Sequence, residues 1–494
     1  MADIQKAVVV GAGLGGIAAA LRLRAKGHRV TLIDRLDKLG GRAYAYERNG
    51  FVFDAGPTVV TAPFLIEELF TLFGRRMADY LTMVPLTPWY RIRFDDGRTF
   101  DYGGSVEDTL AEIRKFEPAD VEGYRRFLAR SKDIFDVGFT ELGDQPFLSA
   151  WSMMRIIPKM VSLGSHRSVY GFVSQYLRNE QLRQVFSFQP LLVGGNPFTT
   201  TSIYALIHYL EREWGIHFAM GGTGAIVRAF GRLMDELDVT VRLGETVEDI
   251  MVEEGRATGV RLAGGETLPA DLVVANADAP FVYRHMLPPA ARRQWTDAKV
   301  DRLKYSMGLF VLYFGTTRKY PGLAHHMILL GPRYKGLLRE IFDGDRLPDD
   351  FSLYLHCPTV TDPSMAPDGC ESFYVLAPVP NLQARNLDWA VEGPKLRDRI
   401  VAFLDRTVVP GLRETITEDF YVTPEHFRDT LLSQHGAGFS IQPILTQSAW
   451  FRFHNASEDV EGLYLVGAGT HPGAGMPGVL TSAKVIEHLI PAAG

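Results

Sequence analysis

The chain has 494 residues, of which 46% are hydrophobic and 22% charged, and its formal net charge is −6. This composition is typical of a globular protein of two or three domains, and it gives no nucleic-acid signature, which would require a basic domain. Only two cysteines occur, Cys357 and Cys370, which excludes a disulfide framework and indicates a reducing, cytoplasmic location. The N-terminus has no signal-peptide pattern, and no apolar run is long enough to cross a bilayer.

The chain opens with a pattern of strand, glycine-rich turn, helix and second strand, in KAVVVGAGLGGIAAALRLRAKGHRVTLID. Its glycines follow the G-x-G-x-x-G spacing. The first allows a tight turn, the second lets backbone approach a pyrophosphate, and the third lets helix and strand pack closely. The helix start offers free N–H groups to phosphates. We assign to a dinucleotide cofactor the loop residues Gly11, Ala12, Gly13, Gly15 and Gly16.

Asp34 closes the second strand, where it is placed to bond a ribose hydroxyl. A carboxylate at this position would repel the 2′-phosphate of NADP. We therefore assign Asp34 and its neighbour Arg35 to the cofactor site. An incidental glycine turn without a ligand is the alternative, and the strand, helix and terminal acid at the expected spacing argue against it.

A second glycine-rich loop, VGAGTHPGAGMPGVL, occupies residues 466–480 and leads into the helix-like TSAKVIEHLI. Bare backbone ahead of a helix start repeats the arrangement of the first loop. A glycine-rich helix entry without a ligand is again the alternative. Two such loops at the two ends of the chain favour a shared ligand.

The middle of the chain suggests two interleaved domains. Helical patterns dominate residues 64–220, and from residue 221 a helix, a strand, a short hairpin and a strand ending in VVANAD follow. After residue 304, three apolar runs predict an antiparallel sheet. We expect a cofactor-binding domain from residues 1–75, 221–300 and 455–494, and a substrate domain, facing a membrane, from residues 76–220 and 301–454.

Further motifs give the chain a family resemblance. DKLGGRA places a G-G-R turn after the second strand, and FVFDAGPTVV follows about a dozen residues later. A dinucleotide fold with this turn resembles the flavin amine oxidase and phytoene desaturase superfamily. The stretches GGRAYAYERNGFVFDAGPTVVT, LLVGGNPFTTTSIYALIHYLEREWG and LVGAGTHPGAGMPGVLTSAK look like the bacterial-type phytoene desaturases of carotenoid synthesis. The resemblance runs from about residue 6 to about residue 490.

The resemblance implies an α/β fold and the cofactor FAD. A Rossmann-like FAD-binding domain, of the glutathione-reductase-like type, would be interleaved with a substrate domain of a mixed sheet plus helices. The G-G-R turn would lie along the pyrophosphate and flavin, one backbone position at the adenine, and the second glycine loop beside the ribityl chain and flavin ring. The residues so implied are Gly41, Arg42, Gly56, Pro57, Val247 (at the adenine), Gly469, Gly475, Met476 and Pro477.

The implied activity is the stepwise desaturation of phytoene, a long apolar polyene, to lycopene or neurosporene. A hydride would pass to N5 of the flavin, and a proton would leave the neighbouring carbon. The protein would mainly orient the substrate in an apolar tunnel. The 30 phenylalanines suit such a tunnel and equally an ordinary core. With no second nucleotide fingerprint, we expect a membrane quinone or oxygen as electron acceptor.

Other functions stay open at this point. They are a later-step carotenoid dehydrogenase, a carotenoid isomerase, an amine oxidase and a non-catalytic isoprenoid escort protein. An amine oxidase would normally have a lysine near N5 and an aromatic cage, and neither can be located in the sequence. A plain NAD dehydrogenase conflicts with the G-G-R turn and the second glycine loop.

Arg155 is the candidate catalytic residue, because it is a charge within the apolar helical stretch FLSAWSMMRIIPKMV. It could stabilise negative charge near the flavin, or extend to water as such arginines more often do. The family pattern can have an aspartate three residues earlier. This chain has Ser152 there, which puts an Asp–Arg acid–base pair in doubt.

The same region suggests a membrane surface as partner. Residues 146–178 contain no Asp or Glu, but they contain Arg155, Lys159 and Arg167 among apolar residues. Basic residues attract anionic lipid while apolar ones enter the interface, so we expect peripheral membrane association. A buried helical hairpin between the domains is the alternative.

The doublet His325–His326 is the only pattern that raises a metal site. No third ligand stands near it in the sequence, and zinc and similar ions need three or four ligands. The sequence therefore predicts no metal.

Overall fold

The structure is a computed structural model that describes residues 4–147 and 150–493, apart from the side chains of residues 150, 152 and 153. In chain order its strands are β1 (Lys6–Val10), β2 (Arg29–Asp34), β3 (Ala45–Arg48), β4 (Phe51–Asp54), β5 (Met83–Pro85), β6 (Tyr90–Arg93), β7 (Thr99–Tyr102), β8 (His217–Ala219), β9 (Thr240–Leu243), β10 (Val247–Glu253), β11 (Arg256–Leu262), β12 (Thr267–Pro269), β13 (Leu272–Ala275), β14 (Gly308–Thr316), β15 (His326–Leu329), β16 (Leu353–His356), β17 (Glu371–Val379), β18 (Ile416–Val422) and β19 (Leu463–Leu465).

The α-helices, joined in places by short 3₁₀ and π-helical turns, are α1 (Leu14–Ala25), α2 (Pro63–Thr71), α3 (Val106–Phe116), α4 (Val121–Phe135), α5 (Ala150–Ser162), α6 (Val169–Val173), α7 (Glu180–Val185), α8 (Leu206–Trp214), α9 (Thr223–Glu236), α10 (Ala279–Phe281), α11 (Asp297–Asp301), α12 (Tyr334–Asp343), α13 (Trp389–Thr407), α14 (Leu412–Thr415), α15 (Pro424–Asp429) and α16 (Met476–Leu489). Among the described residues, no helix combines the length and the apolar character needed to cross a bilayer.

Five strands of the described chain form a parallel sheet in the order β19-β13-β1-β2-β9. Its central strand β1 is the apolar run KAVVV, buried over Ala7–Val10, as expected for a parallel strand covered on both faces. All five strands lie within the segments 1–75, 221–300 and 455–494. Both ends of the chain therefore meet in one sheet, because β19 enters it from the C-terminal segment.

A second sheet has seven strands in the order β18-β14-β17-β16-β15-β6-β7. Its strands all lie within the segments 76–220 and 301–454. Every neighbouring pair is antiparallel except β15 and β6, which are parallel. The sheet is therefore mixed, as the fold class predicts, and not purely antiparallel.

The sequence prediction missed part of this sheet. In the region 64–220, read as mainly helical, the strands β5, β6, β7 and β8 also occur. The pairs β6–β7 and β15–β6 extend the sheet formed by later residues. These strands have only three or four residues each, too few to set a clear period of alternation. The two-domain division itself stays a prediction.

A buried arginine joins three helices behind the parallel sheet. Arg22 on α1 is 2% exposed, and it makes ion pairs with Glu68 on α2, at 3.1 Å, and with Glu487 on α16. Helices α1 and α16 also pack against each other. The first and last helices that follow glycine loops are thus held side by side.

Candidate functional site

The first glycine loop connects β1 to α1. Gly11 has a φ of +98°, which glycine adopts without strain. A Cβ on Gly16 would lie 1.9 Å from the carbonyl oxygen of Gly11, so only glycine lets the helix start this close to the strand. The N-cap of α1, Gly13, provides no side-chain hydrogen bond, which leaves the first N–H groups of the helix available to a ligand.

The loop residues divide into those that face a cavity and those that shape the turn. Gly11, Gly13 and Gly15 line the cavity. Ala12 shapes the turn, since its N–H donates to Oδ2 of Asp34 at 2.6 Å and its carbonyl accepts from the N–H of Gly40 at 2.8 Å.

Asp34 lines the same cavity at the end of β2. Besides the bond from Ala12, it accepts a hydrogen bond from the N–H of Leu36 at 2.8 Å. Burial raises the pKa of its carboxyl group, and these backbone hydrogen bonds act against that rise. Its neighbour Arg35 is exposed at the rim, where it donates to the carbonyl of Asp429 at 2.9 Å.

The G-G-R turn contributes an arginine to the cavity wall. Arg42 donates to Oγ of Ser433 at 3.0 Å, while its Nε is buried and has no partner among the described residues. Burial lowers the pKa of this guanidinium, against the opposing effect of Asp278. Gly56 packs on the turn so closely that a Cβ would lie 2.1 Å from the carbonyl oxygen of Arg42. Gly41, Gly56 and Pro57 also line the cavity.

The second glycine loop meets the first. A Cβ on Gly15 would lie 3.3 Å from the Cα of Gly467, whose φ is +100°. Asn276, at the end of β13, lies beside both loops and donates from Nδ2 to the carbonyl of Gly11 at 3.2 Å. The sequence analysis quoted VVANAD without selecting this asparagine. Its position after a buried parallel strand was the available signal.

Helix α16 begins where the second loop ends. Its N-cap Gly475 has a φ of +93° and makes no side-chain cap, so the first N–H groups of this helix are also available. Met476 and Pro477 line the cavity, and so does Val247 at the start of β10. Gly469 is not among the lining residues of the described chain. A Cβ there would lie 3.0 Å from the Cβ of Ala279, so it permits close packing behind the loop.

These elements enclose a cavity of about 680 Å³. Besides the two glycine loops, the seven-stranded sheet contributes to its wall. Apolar lining residues in its strands or directly after them include Leu309, Ile328, Leu330, Leu353 and Leu376. A polar cradle and an apolar compartment thus share one continuous space.

Glu211 on α8 lines this cavity and is fully buried. Its carboxyl group accepts hydrogen bonds from the hydroxyls of Tyr90 at 3.0 Å and Tyr102 at 2.9 Å. Burial raises its pKa to about 7. The Tyr102 hydroxyl also lies 2.6 Å from Nδ1 of His208, whose pKa burial lowers to about 3.

The sequence analysis missed this buried carboxyl group. In LIHYLEREW a charged run suggests a solvated face, but His208 and Glu211 are three residues apart and share one face of α8. That spacing was the only local signal.

Arg155 and the other residues predicted to contact a membrane lie away from this cavity. Arg155 is exposed on α5 and is not among the described residues that line the cavity. The side chain of Ser152 lies outside the described residues. Of the two roles considered for Arg155, the exposed position favours extension to water.

In the folded chain, a third histidine lies beside the doublet His325–His326. His356 at the end of β16 lies opposite His326 at the start of β15. One ring nitrogen from each of His325, His326 and His356 can be chosen so that the three lie within 4.8 Å of one another. No third ligand lies near the doublet in the sequence, but strand pairing brings one from 30 residues away. The absence of a metal stays a prediction from the sequence.

The cradle fits FAD. Two helix N-termini without side-chain caps, glycine backbone and Arg42 Nε, which has no partner in the described chain, suit a pyrophosphate. Asp34 suits a ribose. The adjoining apolar compartment leaves room for a second, nonpolar molecule. The fold and the cavity define a dinucleotide-dependent enzyme that acts on an apolar substrate.

Comparisons with known proteins agree with this class. The sequence profile of the family described as flavin containing amine oxidoreductase matches residues 14–485. An oxidoreductase of known structure from Methanosarcina mazei has a TM-score of 0.63 at 18% identity, covering 98% of this chain and 100% of that one. An identity this low shows the fold alone.

Relatives with higher sequence identity define the class of enzyme more narrowly. A phytoene desaturase (lycopene-forming) from Pseudescherichia vulneris is 52% identical over 99% of both chains. A phytoene desaturase (neurosporene-forming) from Rhodobacter capsulatus is 45% identical over 98% of this chain and 94% of its own. The chain belongs to the flavin containing amine oxidoreductase family, and within it to the phytoene desaturases. The predicted α/β fold, the FAD cofactor and the family resemblance are confirmed.

Proposed function

We propose that this protein is an FAD-dependent phytoene desaturase that converts phytoene stepwise to lycopene, or to neurosporene when one step fewer is taken. The observation behind this proposal is the single cavity in which the dinucleotide cradle opens into an apolar compartment. Relatives named for forming lycopene or neurosporene, at 52% and 45% identity, support the substrate and products. Isomerase, later-step dehydrogenase, amine oxidase and escort functions have no comparable support.

FAD bound in the cradle supplies a hydride acceptor at N5 of its flavin ring. The residues of this chain bind, orient and exclude water. The two glycine loops hold the cofactor, and the leucine and isoleucine side chains of the seven-stranded sheet align a polyene beside it. An apolar wall keeps water from a carbon skeleton that develops positive charge.

We propose that Glu211 accepts the proton that leaves the substrate carbon next to the one that gives up the hydride. It lines the cavity, and two tyrosine hydroxyls orient its carboxyl group. A pKa of about 7 lies near the working pH, where a general base is most effective.

Peripheral membrane association is part of the proposal, because phytoene dissolves in lipid. Four large apolar side chains lie exposed on one helix, at spacings of three and four residues that place them on one face: Trp151, Met154, Ile157 and Val161. Exposed Arg155 and Lys159 accompany them. Apolar residues beside basic ones suit an anionic lipid surface. A membrane quinone or oxygen is proposed as the electron acceptor.

The test is expression in cells that accumulate phytoene, followed by absorption spectroscopy of the extracted pigment. We expect a coloured extract, and its band positions count the conjugated double bonds and so separate lycopene from neurosporene. Gly16→Ala, which disrupts the cradle, is the colourless control. A colourless extract from cells with flavin-loaded wild-type protein would reject desaturation and favour an isomerase or a later-step dehydrogenase.

A further inference from the structure

Three histidines form a compact buried cluster outside the cavity wall. His325, His326 and His356 are 4%, 0% and 0% exposed. Their ring centroids lie 4.5 Å apart for His325 and His326, 4.8 Å for His325 and His356, and 5.2 Å for His326 and His356. One nitrogen from each ring falls within 4.8 Å of the others. Burying three imidazoles together is costly unless their nitrogens find partners.

The hydrogen bonds of the cluster leave nitrogens unpaired on all three rings. His325 Nδ1 lies 2.6 Å from the hydroxyl of Thr361, and His326 Nδ1 lies 2.8 Å from the hydroxyl of Tyr354. Within the described part of the chain, Nε2 of all three rings has no hydrogen-bond partner. His325 and His326 thus each have one nitrogen held by a neighbour and the other unpaired, as metal-binding histidines typically do, whereas neither nitrogen of His356 has a partner in the described chain.

A carboxylate stands beside the cluster. Oδ2 of Asp54, which is 1% exposed, lies 3.8 Å from Nε2 of His356 and has no hydrogen-bond partner in the described chain. Its other oxygen accepts from the N–H of Thr223 at 2.8 Å. A buried cation would therefore find one negative charge next to it.

We propose that His325, His326 and His356, with Asp54 beside them, bind a structural zinc ion. Three imidazoles and a carboxylate are donors that zinc accepts in tetrahedral geometry, and zinc brings no redox chemistry. A tetrahedral zinc holds its ligand nitrogens about 3.3 Å apart. The three nitrogens here lie at most 4.8 Å apart, so each pair of nitrogens would have to move closer by about 1.5 Å or less on binding zinc. The ion would link β15 and β16 of the seven-stranded sheet to the end of β4, which leads into Gly56 and Pro57 of the cradle.

The test measures metal in the holoenzyme, purified with its FAD and without metal-affinity chromatography. We expect about one zinc per chain by plasma mass spectrometry, retained on dialysis against a dilute chelator. His326→Gln and His356→Gln should each lower the zinc content at least tenfold. His208→Gln is the matched control, because His208 is equally buried but both its nitrogens lie near tyrosine hydroxyls, at 2.6 Å and 3.2 Å. It should keep its zinc.

X-ray absorption at the zinc edge of the wild type supplies a readout that does not depend on variant folding. We expect nitrogen or oxygen neighbours at about 2.0 Å, with outer-shell scattering from three imidazoles. Less than about 0.1 zinc per chain after growth with added zinc would overturn the proposal. So would zinc content unchanged in both variants, or a stoichiometric metal other than zinc.

Discussion

At the scale of single residues, Gly16 is the glycine that the first loop can least replace. A Cβ there would lie 1.9 Å from the carbonyl oxygen of Gly11. We expect Gly16→Ala to lower the free energy of unfolding by about 3 kcal/mol, as for an overpacked site, and to abolish retention of FAD. Flavin absorbance per protein after gel filtration, with chemical denaturation, checks this. Gly264→Ala is the control, since no atom lies within 4 Å of its added Cβ.

Glu211 gives a prediction about pH. Its pKa is about 7 in the folded protein against an ordinary 4.5, so the folded state keeps a proton that the unfolded chain releases. The stability present below pH 4.5 is therefore lost as the pH rises and is gone above about 7. Between about pH 5 and about pH 8, we expect the wild type to lose about 2–3 kcal/mol more than Glu211→Gln, which does not titrate.

Denaturant titrations of both proteins at several pH values measure this difference. Other buried acids, such as Glu371, titrate equally in both proteins and cancel. If the free energies of unfolding of wild type and variant changed in parallel with pH, that result would contradict the raised pKa of Glu211. Initial desaturation rates test the proposed catalytic role separately. Loss of the proton acceptor should lower kcat by about 10²-fold or more above about pH 7, where the Glu211 carboxyl group is ionised, and by less at lower pH, where the wild-type group is protonated.

At the scale of elements, the exposed apolar face of α5 gives a test of membrane contact. Ile157 is 45% exposed and Val161 is 56% exposed on this face. We expect Ile157→Asp combined with Val161→Asp to reduce flotation with anionic liposomes several-fold, because charge opposes insertion and repels anionic lipid. Val391→Asp on α13, where the valine is 47% exposed, is the matched control.

Charge reversal at Arg155, Lys159 and Arg167, all exposed, tests the electrostatic part separately. It should weaken flotation most at low salt. Liposome binding that survives both sets of substitutions would assign the membrane contact to another surface.

The helices and strands also show which parts of the fold could be predicted from sequence patterns. The strand–turn–helix units β1–α1 and β19–α16 were predictable, because each is local and carries its own glycines. The short strands β6 and β7 were not, because four residues set no clear period, and because β15, the strand that joins β6 to the rest of the sheet, lies more than 220 residues later.

At the scale of the whole molecule, the two glycine loops from opposite ends of the chain meet at the proposed cofactor site. Gly15 and Gly467 are neighbours, and Arg22 links α1 to α16. We expect removal of FAD to lower the melting temperature and added FAD to restore it. Binding at 1,000 times the dissociation constant corresponds to about 4 kcal/mol of stabilisation. Differential scanning calorimetry measures both changes.

Riboflavin is the control ligand for FAD in this experiment, because it has the same flavin ring but lacks the pyrophosphate and adenosine. If the two loops share one long cofactor, riboflavin should restore only a small part of the lost stability. Full restoration by riboflavin would mean that the first loop and Asp34 contribute little to binding.

The local patterns of the chain were enough to predict the two glycine loops, the acid at the end of β2 and the G-G-R turn, because these features lie within short, contiguous segments. The flavin cofactor followed from the family resemblance that these motifs carry. The fold alone brought His356 to His325 and His326, placed Glu211 in the cavity wall, and put Gly469 behind its loop. Such neighbours depend on the register between distant strands and on which helix face is buried. Both are decided by packing of the whole core and not by the spacing of residues along the chain.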